Sequence, residues 1–336
     1  MVGPGRAVNE RIGERIGSML QTLAITGPIY LVIALGFLAV HFGIFSKSDT
    51  RVLGTFVVKF ALPALVFTAL SQRQVSEILD HRYLFDYALA SVTVMLVAFG
   101  WGFWLQGKGM TLSALSGLGM ASSNSGYIGF PIALGVVGPA AAAVGLAMCM
   151  VVENLIMIPL ALVMADSGQA GAGKWYRILA QALKQLVRNP VILAMLGGFV
   201  VALLGVPITG VLARTINMLA ISSTAVSLFV IGGALVGLHV KGMVRDVSAI
   251  ALGKLLLHPL AAGLLVWLIP PSDPALRVAA VIFASVPMLS IYPILAQKYG
   301  FEGYSAAALM LATVLSFVTI SVILWLLGPV LGWSLL

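Results

Sequence analysis

Apolar residues run through this chain in blocks of about 20, the length a helix needs to cross the hydrocarbon core of a bilayer. Polar residues collect in the short segments between the blocks. The pattern predicts ten spans: Leu23–Phe45, Val52–Leu70, Tyr83–Leu105, Leu112–Val137, Ala141–Met164, Val191–Gly205, Leu212–Gly237, Val247–Ile269, Ala275–Gln297 and Ser305–Leu327. Two of them are interrupted. Residues 122–131 read SSNSGYIGFP, and residues 287–293 read PMLSIYP. A break at membrane depth survives only where protein or a wet cavity satisfies its backbone polar groups, and transporters hold solutes at such broken helices.

The two halves repeat at a fixed offset of 162 residues. Pro28, Leu31, Gly36, Phe37 and Gly43 recur as Pro190, Leu193, Gly198, Phe199 and Gly205. At the same offset Phe130, Pro131 and Ile132 fall on Tyr292, Pro293 and Ile294, so the two breaks are partners. An odd number of spans per copy turns the second copy upside down. The predicted architecture is therefore an all-α polytopic membrane protein of two inverted five-helix repeats with two broken crossover helices. Its expected segments are an N-terminal arm (1–22), the first repeat (23–164), a loop with an amphipathic helix (165–189), the second repeat (190–328) and a tail (329–336). In the loop, Trp175, Ile178, Leu179, Ala182, Leu183 and Leu186 share one helical stripe, bordered by Lys174, Arg177, Lys184 and Arg188; such a helix suits the bilayer interface.

Composition agrees with the pattern: 60% of the 336 residues are hydrophobic and 9% are charged. One soluble core could not hide that surface. The net charge of +8 would suggest nucleic acid on a soluble face. Here Lys and Arg sit in the connections, where topology and lipid headgroups account for them. The loops of one side carry Lys47, Arg51, Lys108, Lys174, Arg177, Lys184, Arg188, Lys241, Arg245 and Lys298; the other side carries Arg6, Arg11, Arg15, Arg73, Arg82, Arg214 and Arg277. The excess predicts that the first side is cytoplasmic and both termini are external. The arm lacks a signal-peptide pattern and is expected to be retained. Cys149 is a lone cysteine inside an apolar block, which offers no disulfide or zinc pattern. No P-loop, HExxH or GxSxG is found, so no enzyme is expected.

Candidate chemistry gathers at the breaks. Ser122, Ser123, Asn124 and Ser125 offer hydroxyl and amide groups, and Gly126 and Gly129 permit close approach. Pro131, Pro287 and Pro293 interrupt the helical ladder. Half-helix N-termini carry partial positive charge and suit a carboxylate, with Asn124, Ser125 and Ser290 as polar contacts and Tyr127, Phe130 and Tyr292 as apolar surface. Glu153 and Asn154 lie inside the fifth span, where a buried acid is costly and is a functional candidate by default. They are candidates for coupling to a proton or sodium; a structural hydrogen bond is the alternative use. Lys59 and Lys254 lie some seven residues inside their spans and are expected to snorkel or pair, with attraction of an anion as the other reading. His258 shares a helical face with Lys254, and a hydrogen-bonded bundle histidine is the expected use.

With these residues in view, the chain resembles the auxin efflux carrier family through the stretch Asn124, Gly126, Gly129 and Pro131, the prolines Pro287 and Pro293, and the two-repeat plan with a polar centre. The resemblance implies the bile-acid sodium symporter fold: a scaffold and a transport domain with crossing broken helices, an elevator-like motion, external termini and dimers. It implies that Asn124 contacts substrate and that Pro131 and Pro293 form the crossover. The expected function is secondary transport of small organic anions across the bacterial inner membrane. Monocarboxylates of the auxin type and dicarboxylates such as malate and malonate are the candidate substrates. The expected partners are that anion, the lipid bilayer and a second copy, with no nucleic acid and no cofactor beyond a coupling proton or sodium. An intramembrane enzyme using Glu153 with His258 or Lys254, and a sensor that binds without flux, are the alternatives from other classes.

Overall fold

The computed structural model describes residues 24, 26–71, 80–168, 176, 180, 183–184, 187–237 and 244–328. The arm at 1–22, most of the amphipathic helix of the central loop and the tail at 329–336 lie outside them. Everything described is helix or connection.

In chain order the helices are α1 (Thr26–His41), α2 (Lys47–Ser71), α3 (His81–Leu105), α4 (Met110–Ala121), α5 (125–137), α6 (139–167), α7 (Pro190–Leu204), α8 (Gly210–Ala234), α9 (Arg245–Leu268), α10 (Pro274–Ser285), α11 (Tyr292–Gln297) and α12 (Glu302–Leu327). Six stretches are long and apolar enough to cross a bilayer unaided: α2, α3, the run Met110–Ser167, α8, α9 and α12. Helices α1, α7 and α10 are apolar but shorter. The apolar blocks of the sequence fall on these helices in order. Both interrupted blocks are interrupted in space, at residues 122–124 and 286–291.

Capping sets the ends. Ser46 opens α2 with a capping box to Asp49, and Asp80 opens α3 by accepting from the Arg82 and Tyr83 N–H groups. Asn189 and Asp273 cap α7 and α10, each followed by a proline in the first turn, where its missing N–H costs nothing. Between α5 and α6 the chain turns at Gly138, whose φ of 78° is a conformation that suits glycine.

Connections tie the helix ends in two groups. Asp80 also accepts from Ser272 N–H at 2.8 Å, and Arg82 reaches the Pro270 carbonyl. At the other end Lys108 pairs with Asp246 at 3.0 Å and Lys298 with Asp166 at 2.7 Å.

Glycines let two helix pairs touch backbone to backbone. A Cβ on Gly36 of α1 would collide with the Phe229 carbonyl of α8, and one on Gly232 of α8 with the Ile33 carbonyl of α1. In the other half, a Cβ on Gly198 of α7 would lie 3.1 Å from the Phe67 carbonyl of α2. Gly198 and Phe229 follow Gly36 and Phe67 at the 162-residue offset, so α1 on α8 and α7 on α2 are the same contact with the halves exchanged.

Widened turns are the second recurrent device. Helical turns of the π type occupy Val57–Ala61, Trp101–Leu105, Ser125–Gly129, Glu153–Met157 and Gly253–Leu257. Four of them end two residues before a proline: Pro63, Pro131, Pro159 and Pro259. A proline ring clashes with the carbonyl four residues back and donates nothing to it. Widening the preceding turn relieves this, and bonds such as Leu62 N–H to Val57 O and His258 N–H to Gly253 O keep the ladder closed, as the dry environment requires. Each of these four turns carries a polar side chain of interest: Lys59, Ser125, Glu153 or Lys254.

Candidate functional site

The two breaks meet. Asn124 N–H donates to the Pro287 carbonyl at 2.7 Å, and Asn124 Nδ2 donates to Ser290 Oγ at 2.7 Å. Asn124 Oδ1 caps α5 by accepting from Tyr127 N–H at 3.3 Å. One side chain thus starts the second half of the first broken helix and ties it to the second. The first-turn N–H groups of Ser125 and Gly126 have no acceptor within their own helix. Small residues permit the approach: a Cβ on Gly129 would lie 2.7 Å from the Phe283 ring, and one on Gly119 would lie 2.8 Å from the Tyr292 hydroxyl.

Every N–H of the first break has a partner, which buried backbone demands. Ser122 N–H goes to Leu118 O, Ser123 N–H to Glu153 Oε1 at 3.0 Å and Asn124 N–H to Pro287 O. Glu153 Oε2 accepts from Ser125 Oγ at 2.9 Å. Behind the same break, Lys254 Nζ donates to Ser123 Oγ at 2.7 Å and to Ala284 O at 2.9 Å, and lies in hydrogen-bond contact with His258 Nδ1 at 2.6 Å. The other ring nitrogen, Nε2, is hydrogen-bonded with Ser91 Oγ at 3.0 Å. Tyr87 completes the cluster with a bond to Ser123 Oγ. Ser123 thus joins the acid, through its N–H, to the amine, through its hydroxyl.

Sequence-expected residues fall into three groups. Asn124, Tyr127 and Ser290 join the breaks or border open space, and Gly126 stands where a Cβ would lie 3.1 Å from Leu62. Phe130, Pro131, Ile132, Pro287 and Tyr292 are buried behind them, and the Tyr292 hydroxyl is spent on the Leu115 carbonyl. Pro293 is partly buried at the start of α11. That helix has only six residues, so only the first break opens a helix with an appreciable dipole. Glu153 and Asn154 part company: Asn154 turns back to the Met150 carbonyl within its own helix. Lys254 does not snorkel. It is fully buried at 0% exposure, because three polar partners within the bundle replace water. Its importance to the breaks was not read from the sequence.

Open space borders the first break. A cleft of about 510 Å³ is lined by Lys47, Arg51, Thr55 and Lys59 of α2, Tyr127 of α5, and Val230 and Ala234 of α8, among others. No acidic residue lines it. Its deep end is marked by the Tyr127 hydroxyl, which donates to the Gly54 carbonyl at 3.1 Å. On the same seam between α2, α5 and α8, but toward Gly138, a second cleft of about 630 Å³ runs past Thr68, Leu134, Asn217 and Thr224. Beside it, sharing Thr68 and Asn217, is a third space of about 370 Å³ with Arg214 in its wall.

Broken helices locked together inside a bundle of apolar helices, with clefts along one seam, define an integral membrane protein built to handle a solute. Comparison with known sequences agrees. The sequence profile of the Membrane transport protein family matches residues 25–325, and the chain belongs to that family. Its relatives include a "Putative malonate transporter" of Rhizobium meliloti (strain 1021), 26% identical over 309 residues covering 92% of this chain and 96% of the relative. They also include the uncharacterized transporter YfdV of Escherichia coli (strain K12), 24% identical over 304 residues (89% and 95%). A third is an uncharacterized transporter of Methanothermobacter thermautotrophicus, 23% identical over 299 residues (87% and 94%). The protein is a membrane transporter.

Proposed function

We propose that the protein is a secondary transporter of small organic anions, with a dicarboxylate of the malonate type as the first substrate to test. The observation that carries this reading is the basic cleft: Lys47, Arg51 and Lys59 face open space that ends at Tyr127, one turn into the helix started by Asn124. Positive charge without a facing acid concentrates anions, and a helix N-terminus receives a carboxylate. The relative named for malonate agrees with that charge. Monocarboxylates of the auxin type remain the second group.

The exchanged glycine contacts of α1 on α8 and α7 on α2 support two inverted five-helix repeats. Clefts at both ends of one seam support an elevator: α2 and α8 would form the fixed wall, and the crossing would slide along it. Closure between the clefts falls where Leu62 meets Gly126. Arg214 would then serve the far opening as Lys59 serves the near one. Inner-membrane placement with external termini, and a dimer, complete the reading. In a related reading the substrate touches Asn124, Ser290 and Tyr127, while Phe130 and Tyr292 support them from behind.

Uptake of radiolabelled malonate and of a panel of monocarboxylates into proteoliposomes tests the class. Arg51→Gln/Lys59→Gln should raise KM about tenfold, since two exposed charges are each worth roughly 0.5–1 kcal/mol to an approaching anion, and should flatten its dependence on salt. An unchanged KM, or the absence of saturable carboxylate flux in the parent protein, refutes the reading.

A further inference from the structure

The centre behind the crossing is rich in negative oxygen. α4 ends at Ala121 and α10 at Ser285, and helix C-termini carry about half a negative charge each. The acceptors gathered there are the Ser123 hydroxyl and the Ala284 carbonyl, with the Glu153 carboxylate on the other side of Ser123. Hydroxyl, carbonyl and carboxylate oxygens at half-helix C-termini are what broken-helix transporters offer to a monovalent coupling ion. In this chain an ammonium group stands in that place. Lys254 Nζ donates to the Ser123 hydroxyl and the Ala284 carbonyl at 2.7 and 2.9 Å, has His258 Nδ1 as its third polar neighbour at 2.6 Å, and its side chain is wholly buried.

We propose that Lys254 is a tethered counter-cation of the crossing. It is a positioning residue that fills, by covalent attachment, the place a dissociable alkali cation would otherwise take. The crossing then keeps its shape through the transport cycle without sodium or potassium at this point, and solute movement is not tied to alkali-ion release there. The inference rests on the crossing being the transport centre, but its test reads cation binding and stability rather than flux, so it can fail independently of the substrate assignment.

The experiment uses the full-length protein in detergent, unfolded by heat in sodium, potassium or choline chloride at equal ionic strength. The parent Tm should be the same in all three. Lys254→Ala should lower Tm by several degrees and recover part of the loss, saturably, with sodium, potassium or methylammonium but not with choline, because a ligand stabilises the state that binds it. Lys254→Met, which fills the space with an apolar chain, should show no recovery. Glu153→Gln/Lys254→Met should lose less stability than the sum of its single substitutions, since the second change removes a buried charge the first leaves unpaired. The proposal is overturned by a saturable sodium shift in the parent protein, or by a Lys254→Ala protein that ignores all three small cations. If Lys254→Ala does not fold, the parent salt comparison and the double substitution decide, and additive losses in the double variant overturn it.

Discussion

Asn124→Asp separates the charge of the crossing from its architecture. The new side chain keeps an oxygen for the Tyr127 N–H, so the cap of α5 survives, and aspartate is as good a capping residue as asparagine. The lost donor is Nδ2, now 2.7 Å from Ser290 Oγ; the serine hydroxyl can turn and donate to the carboxylate instead. With the new carboxyl protonated the stability change should therefore stay below about 1 kcal/mol, the net worth of one hydrogen bond; ionised, at a site only 4% exposed, it costs more. For an anionic substrate the consequence is large. A carboxylate about 5 Å from the new charge, at an effective dielectric constant of about 20, is repelled by roughly 3 kcal/mol, or about a hundredfold in kcat/KM. The assay is initial malonate uptake into proteoliposomes at matched protein and Tm, with Asn124→Ser as the neutral control that retains a cap. Flux by Asn124→Asp should also recover as the pH is lowered toward protonation of the new carboxyl. Uptake within threefold of the parent, with the protein folded, would refute placement of the anion beside Asn124.

Two further predictions concern the frame. Gly232→Ala drives a methyl group against the Ile33 carbonyl, whereas Gly198→Ala places one 3.1 Å from the Phe67 carbonyl; overpacking costs about 1–3 kcal/mol, so the first should lower Tm clearly more than the second, and equal Tm values would contradict the backbone contact of α1 with α8. At the start of α3, burial would raise the Asp80 carboxyl, but hydrogen bonds from Tyr83, Ser272 and Arg82 outweigh it and hold the group below the usual aspartate range. Its contribution is therefore complete above the unfolded value of about 3.9 and fades as pH falls through the lower folded value. Asp80→Ala should cost about 1–2 kcal/mol at pH 7, as loss of a cap does, and the gap should narrow below about pH 4; a gap that widens in acid would show that the capping account is wrong.

The order of the helices and the place of both breaks were legible in the sequence, because a bilayer leaves the backbone few choices. Apolar runs must be helical, and Ser-Asn-Ser followed by Gly and Pro cannot continue a helix unaided. The 162-residue offset was equally legible, and the exchanged contacts of Gly36 with Phe229 and Gly198 with Phe67 give it a physical content that residue matching lacks. What the sequence left open was which polar groups find one another. Lys254 read as a cation that snorkels, pairs or attracts an anion, because span position alone does not say whether polar partners lie nearby, and three do, from residues 131 positions away in Ser123, 30 away in Ala284 and four away in His258. Glu153 and Asn154 read as a pair because they are neighbours, yet the widened turn beginning at Glu153 aims the acid at Ser123 and Ser125 while Asn154 serves its own helix.

SSNSGYIGFP and PMLSIYP were thus marked by the sequence as places where helices must stop, since that depends on local backbone chemistry. Only the tertiary structure decided that the stops are stitched together by Asn124 and backed by Glu153 and Lys254, with a basic cleft beside Tyr127 of α5. Those features depend on long-range packing of α2, α6, α8 and α9 around the crossing, which no local pattern specifies.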